Sequence, residues 1–571
     1  MARLKTIGFE LQTNSNNREF SYYQGDSPSY ITSATRTGQG VSQRTNTSSS
    51  YSRSAYEFTH TDTSGVFYSR VGFYLNSLPT SLANNDHPCG NLRDNNTVLP
   101  IHGGPGAQEY AASSFKAKYA TVSAVSLRLY RNGTPLDNLT ISIVSTLNGT
   151  EIGAVTVAAS SIISGSWNTF IFSSPLTLIP GNTYYIQVYR AAPGIYDGVN
   201  YISWYQDYNE NIFPDGSVYV HNSGSWTNQP ASCGTFSVLY QTNEISIVAL
   251  GGINNTYTGY ISLNTSGAMQ LYDWFGIPVG SPSSNIATGA WHYLEIKIDI
   301  PNKILEWKLD GTQVATTSSA VLQNFGNLSW GPESASDNGV DGWTGYETGT
   351  VDIYWDDIAI NDNSGSSQNS YPGNGYVYRL SPAAAGDSNT FTRQTGGTAG
   401  DTNNFTRVNE TTPDNATSYN GSSTLNEEDL FRVTQLTFPG GTTFAVVETG
   451  VVFRNSTADA TGSFLVEIEK TTGGTKATSA SIIPNSTTWS LNTITNTTPQ
   501  LSPLILYKDP DTASWTPTTI NSMQIGYKDT ANPGTAGRRC DITTLWVYIE
   551  SSAVAIPSSP TGRRGLMGVG F

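Results

Sequence analysis

The segment Trp291–Asp310, WHYLEIKIDIPNKILEWKLD, constrains the fold of this chain more than any other stretch. Leu294, Ile296, Ile298 and Ile300 alternate with Tyr293, Glu295, Lys297 and Asp299, the period-2 pattern of a strand with one face in a core and the other in water. Pro301-Asn302-Lys303 supplies a turn. Leu305, Trp307 and Leu309 then alternate with Glu306, Lys308 and Asp310, closed by Gly311. Two such runs joined by a short turn predict a hairpin of a half-buried antiparallel sheet. No long amphipathic helix or heptad run stands anywhere in the sequence, so the expected class is all-β with little helix.

A chain of 571 residues is too long for one core, and roughly three or four domains of about 150 residues are expected. Charged residues make up 13% of it, against roughly 25% in an average soluble protein. Ser, Thr, Asn and Gly take their place, a surface chemistry suited to β-rich particles exposed to the outside world. The net charge of −15 without a basic stripe argues against nucleic acid as partner and reads first as solubility. No segment approaches the ~20 apolar residues of a membrane span. The opening MARLKTIGFELQTNS has two basic residues but no apolar run of signal-peptide length. Taken as complete, the chain is expected to be made in the cytosol without a leader and to work outside the cell. A virion component meets both conditions; a removed leader or another secretion route would too.

Three further stretches carry a family resemblance: Gly8-Phe9-Glu10 near the start, the aromatic strand Val66–Leu78 (VFYSRVGFYLNSL), and Val351–Ile360 (VDIYWDDIAI). Together with the hairpin ending in Asp310-Gly311, they resemble the laminin-G-like, concanavalin-type lectin sandwich. In that family a strand pair with a "DG" turn precedes an aromatic-Asp-Asp strand. The resemblance implies a domain that binds or builds more often than it catalyses.

The next strand of that pattern, Ile245–Leu250, comes only after a long block, so the sandwich is expected to be discontinuous, over 1–85 and 245–362. Residues 86–244 read as an inserted jelly-roll β-sandwich, with strands at Ala124–Arg131, Leu139–Thr146, Trp167–Phe172, Thr183–Arg190, Tyr201–Tyr205, Ser217–His221 and Thr235–Tyr240. Residues 363–374, NSGSSQNSYPGN, read as a Ser/Asn/Gly linker. A C-terminal β-sandwich follows over 375–552, with strands near Phe444–Arg454, Phe464–Lys470, Asn521–Tyr527 and Thr544–Glu550 and long loops over 373–424. Residues 553–571 form a Gly- and Pro-rich arm.

Of the three cysteines, Cys89 and Cys233 fall at the two ends of the insert, where an inserted domain's termini lie close together. A Cys89–Cys233 disulfide, contributing about 4–5 kcal/mol in the chain-entropy model, and two unrelated buried thiols are both open readings. Cys540 has no evident partner.

Catalytic signatures are sparse. None of the five histidines forms a metal-ligand spacing, and the cysteines are too far apart for a zinc knuckle. His102-Gly103-Gly104-Pro105-Gly106 resembles the oxyanion loop of some α/β-hydrolases, but the GxSxG nucleophile elbow is missing. Concanavalin-type glycosidases carry an ExDxxE strand. Here Glu295 and Asp299 share a face with Lys297 between them, and Asn302 stands where the last Glu belongs. A lysine there keeps both carboxylates ionised, so a solvated outer face is expected rather than a general acid. Asp352, Asp356 and Asp357 are candidates for a structural Ca²⁺, or for ordinary strand-edge solvation. Trp274, Trp343 and Tyr346 in Gly/Asp-rich loops, and Trp204 and Trp226 in the insert, are candidates for sugar stacking, although most tryptophans in such a chain belong in cores and interfaces.

As a whole the chain is similar in domain style to bacteriophage virion structural proteins of the capsid-decoration, head-fibre or tail-associated kind. That resemblance implies a non-enzymatic homo-oligomer bound to other virion proteins, with weak glycan contacts multiplied by copy number and no cofactor beyond the structural Ca²⁺. A secreted glycan-binding adhesin and a concanavalin-fold glycoside hydrolase are the alternatives.

Overall fold

The computed structural model describes residues 3–9, 22–25, 29–31, 35–36, 42–46, 52–57, 65–80, 85–91, 97–101, 110–190, 199–208, 213, 216–222, 224–251, 257–273, 276–318, 322, 326–331, 350–391, 393–394, 403–411, 418–422, 424–455, 462–484, 489, 503–531 and 540–552. Among these the fold is all-β: strands dominate, and one short α-helix, Pro517–Ser522, interrupts them. The strands form six sheets that pack into three sandwiches.

The first sandwich is built around the hairpin. Trp291–Asp299 pairs antiparallel with Ile304–Leu309, placing Leu294, Ile296 and Ile298 opposite Leu309, Trp307 and Leu305. Asp310 (φ 51°) and Gly311 (φ 78°) then turn the chain into Thr312–Thr317, the positive-φ pair that a tight hairpin turn needs. On its other side Trp291–Asp299 pairs with Val66–Thr80, which in turn pairs with Thr350–Asp362. The facing sheet consists of Tyr22–Gly25, Ser52–Glu57, Asn327–Trp330, Glu244–Gly251, Tyr257–Asn264 and Met269–Asp273. Trp307, Trp330 and Trp355 are fully buried between the two layers. Truncating any one of them to alanine should cost ~3–5 kcal/mol.

The next two sheets take their strands from Asn85 to Thr242. One is centred on Thr121–Asn132, flanked by Ser166–Thr177, Phe236–Thr242 and Tyr201–Asp207. The other runs in the order Glu151–Ala158, Asn138–Val144, Thr183–Arg190, Tyr110–Lys116, Val218–Asn222, Ser225–Gln229. The last two sheets lie between Gly375 and Ser552. One is centred on Cys540–Ser552 beside Phe444–Asn455, the other on Gln524–Ala531 beside Ser463–Glu469.

Three expectations need correction. The strand expected near Asn521 begins at Gln524, because Thr516 and Thr519 form a capping box with Pro517 in the first turn and hold 517–522 helical. Residues 373–424 contain the strands Gly375–Leu380 and Pro382–Asn389 rather than loops alone. Tyr376, Tyr378 and the small run Ala383–Gly386 supply the β-propensity and close packing that the low apolar content concealed.

The Cys89–Cys233 bridge is also corrected: Cys233 is a free, buried thiol. Asn85–Cys89 and Cys233–Gly234 are the two ends of a five-strand path through one sheet. The Cys233 Sγ meets Ser113 Oγ at 3.4 Å instead.

Candidate functional site

The aromatic residues expected to stack on sugars separate into three groups. Trp274, Trp343 and Tyr346 lie outside the described residues, as do the His102–Gly106 loop and the 553–571 arm. Trp204 is a core residue, 1% exposed, and its indole N–H donates to the Thr235 carbonyl at 2.8 Å. Gly234 lies against its ring, where a Cβ would come within 2.7 Å. Ile202 and Trp204 point inward together along Tyr201–Asp207, so period-2 alternation places this Trp in the core and removes it from any surface role.

Trp226 is different. It lies half-buried on the edge strand Ser225–Gln229, opposite His221. Pairing carries the same lateral row across the sheet: Trp226, His221, Tyr110, Tyr189, Thr140, Thr156. Ring centroids are 5.2 Å apart between Trp226 and His221, 5.4 Å between His221 and Tyr110, and 4.9 Å between Tyr110 and Tyr189. Two residues along the strands, the next row holds Asn228, Tyr219, Ala112, Gln187 and Ser142. Tyr185 follows and meets Tyr219 edge-on at 5.4 Å.

The opposite faces of these strands are Ala111, Phe115, Ile186, Val188, Val218 and Val220, all in the core. The outer rings therefore stand on a rigid layer. They cover Ala112 and Ser142, both 0% exposed, so the surface is a pavement rather than a cleft. Two hydrogen bonds fix its rim: the Tyr189 hydroxyl donates to Glu151 Oε1 at 2.7 Å, and Trp226 Nε1 donates to Asn148 Oδ1 at 2.8 Å. Burial, and then Glu151, push the Tyr189 phenol up to about 12, so it remains a donor at all ordinary pH values. Of this face the sequence reading found only Trp226. The available signal was the alternation Tyr185, Gln187, Tyr189 in TYYIQVYR, which puts three polar-tipped residues on one side of a strand.

The three aspartates considered for Ca²⁺ are engaged by other groups. Asp352 pairs with Arg44 through two 2.7 Å contacts and accepts from Asn76. Asp356 accepts the Arg36 backbone N–H at 3.2 Å and the Asp357 N–H at 2.8 Å. Asp357, fully buried, accepts from Arg36 at 3.0 Å and from the Val377 N–H at 2.7 Å. Burial raises the Asp357 carboxyl above its ordinary value, opposed by Arg36 and Arg70. Among the described residues no group of three His, Cys, Asp or Glu side chains is placed to hold a metal ion.

Asp357 belongs to a larger ionic seam between the first sandwich and the C-terminal one. Arg3 and Arg70 both pair with Glu550, Arg36 with Asp357, and Lys5 with Glu448 at 3.6 Å. Arg70 also donates to the carbonyls of Asp357 at 2.9 Å and Gly373 at 3.1 Å, and Arg36 to that of Gly375 at 2.6 Å. At Gly375 a Cβ would collide with the Arg70 guanidinium and come within 2.6 Å of Glu550 Oε1, so only glycine fits. Burial raises the Glu550 carboxyl, but Arg3 and Arg70 outweigh it and hold the group below its ordinary value. The missed signal was Arg70 itself, a cation in the middle of an apolar strand that had to be paired if buried.

Residues 363–374 lie against the sandwich rather than hanging free. The Tyr371 hydroxyl donates to Glu306 at 2.7 Å, and Lys308 Nζ stands 3.5 Å over its ring. The Gly373 N–H donates to Glu295 at 2.7 Å. The expected solvated face is thereby corrected: Glu295 and Asp299 are 2% and 4% exposed, and the returning chain meets Glu295 through Gly373. Burial raises the Glu295 carboxyl above its ordinary value, where Lys297 was expected to keep it low. Asp299 is held by Lys297 at 3.1 Å and by Asn302.

No protein-family model matches this chain, and no curated protein matches it significantly.

Proposed function

We propose that this chain is a non-enzymatic structural protein of a bacteriophage virion, of the capsid-decoration, head-fibre or tail-associated kind, with a surface for weak glycan contacts. The observation that carries the proposal is the seam. In a charge-poor chain, Arg3 and Arg70 of the first sandwich pair with Glu550 of the last and Lys5 with Glu448, while Arg36, paired with Asp357 of its own sandwich, donates to the Gly375 carbonyl. Such a clamp suits a rigid body that transmits attachment from one end to the other. The burial of Glu295 under residues 363–374 supports the same reading, since a carboxylate covered by its own chain is poorly placed to reach a glycosidic bond.

The pavement on the second sandwich favours adhesion as the outward role, with weak single contacts strengthened by many copies per particle. A concanavalin-like first sandwich, a homo-oligomeric state and capsid or tail subunits as partners complete the proposal. A secreted adhesin would share the pavement but not the particle. Immunogold labelling of intact particles with antibody to residues 375–552 tests the choice: regular labelling supports a virion protein, and unlabelled particles beside antigen in the medium overturn it.

A further inference from the structure

The row of rings on the second sandwich has a chemistry narrow enough to name its ligand. Resting on the adhesive reading above, we infer that the face formed by Trp226, His221, Tyr110 and Tyr189, with Tyr185 and Tyr219 beside them, binds a neutral oligosaccharide. The chain of the ligand lies across the strands.

Geometry sets the orientation and length. The four rings occupy adjacent strands in one register row, so they span three interstrand steps, on the order of 14 Å. That is the reach of a short oligosaccharide, not of one sugar. The rings stand on a floor of fully buried Ala112 and Ser142 and meet one another tilted or edge-on, at 45° to 88°, with His221 9% exposed between its neighbours. The face therefore offers ring edges and partial ring faces against which pyranose C–H groups can pack.

Charge sets the class. In the three register rows the one charged side chain is Glu151, and the Tyr189 hydroxyl already occupies it. The nearest cation on this face, Lys116, stands one row beyond Tyr185, the rows of the rings hold no Lys or Arg to receive a sulfate or uronate, and the chain as a whole carries −15. A polyanion is therefore repelled and a neutral chain is not. Asn228 and Thr156 supply exposed side-chain hydrogen-bonding groups beside the rings, which suits hydroxyl-rich ligands. Large aliphatic side chains, which a protein partner would bury, are missing from the rows of Trp226 and Tyr219, and Val144 in the row of Tyr185 is fully buried.

The test uses the full chain and four probes: cellotetraose, maltotetraose, chitotetraose and a tetrameric uronate, each titrated by calorimetry and by saturation-transfer NMR. At least one neutral tetrasaccharide should bind, more tightly than its disaccharide. Trp226→Ala and Tyr110→Ala should each weaken it tenfold or more, with Trp226→Phe recovering part of the loss. Trp226 lies half-exposed on an edge strand, so Trp226→Ala should keep a single cooperative melt with a small fall in melting temperature from the lost Asn148 and His221 contacts, separating ligand loss from misfolding. Binding of the uronate alone, binding untouched by both alanine variants, or no binding by any probe overturns the inference. Particle labelling that succeeds while all four probes fail removes this ligand and leaves the virion role standing.

Discussion

Arg3 and Glu550 form a buried ion pair at opposite ends of the described chain, their side chains 0% and 2% exposed. Around it Arg3 also donates to Asn361 at 2.6 Å and Thr6 at 2.9 Å, so the guanidinium is satisfied on several sides. The pairing means that the first strand, Arg3–Ile7, is completed by a residue of the last, Cys540–Ser552. Removing one partner from such a cluster strands the others without water. Glu550→Gln should therefore destabilise the chain by about 3–5 kcal/mol. Urea unfolding followed by intrinsic fluorescence measures this, and a loss under 1 kcal/mol would show that the seam is dispensable.

Tyr371 should act as the fastener of residues 363–374. Tyr371→Ala removes the hydrogen bond to Glu306, the cation–π contact with Lys308 and the edge contact with Tyr68. Limited proteolysis should then cut this segment at least tenfold faster than in the parent, while cleavage elsewhere stays the same. Equal rates would mean that the segment is held by the seam alone.

The C-terminal sandwich should lose stability as pH rises towards neutrality. Burial pushes Asp429 and Asp529 up to about 7, and burial together with the neighbouring Glu428 does the same to Glu467. A carboxyl with a raised folded pKa keeps its proton in the fold where the unfolded chain has lost it. Its contribution is thus complete below about pH 4 and gone above about pH 7. Glu428 runs the other way: burial raises it, but Lys476 prevails and the group ends below its ordinary value. Glu469 is raised too, by burial, while Asp511 and Glu550 are lowered like Glu428. Lowered carboxyls titrate below about pH 4, so the raised groups give a net fall between about pH 4 and 7. Asp529→Asn should flatten that fall by an amount on the order of 3 kcal/mol, read as the pH dependence of the urea midpoint. An unchanged slope would place the titration elsewhere.

Cys233 should behave as an inert thiol. Burial pushes it up to about 12, with Ser113 Oγ at 3.4 Å as its polar neighbour. Iodoacetamide at pH 8 should leave Cys233 unlabelled in the native chain and label it on unfolding, as mass spectrometry of the peptide will show. Reductant should not shift the melting temperature. A disulfide recovered at Cys233 would contradict the free thiol of the structure.

The hairpin and its tight turn were legible in the sequence because alternation and an Asp-Gly pair are local signals. Leu294, Ile296 and Ile298 face the core as their period requires. What alternation could not reveal is what covers the other face. Glu295 reads as a solvent residue until residues 363–374 return over it, a contact made 78 residues away in the chain. Trp204 and Trp226 are equally aromatic in the sequence, yet one points into the core and the other lies on an outer edge. The ring pavement exists only once four strands are laid side by side in register, and no single strand carries it.

Copy number in purified particles tests the central claim most directly. Particles banded on a density gradient and quantified against the major capsid subunit by mass spectrometry should contain this chain at a fixed, symmetry-compatible ratio, unchanged by high-salt washing. A chain recovered only from the medium, or one present at trace and variable levels, contradicts a virion role.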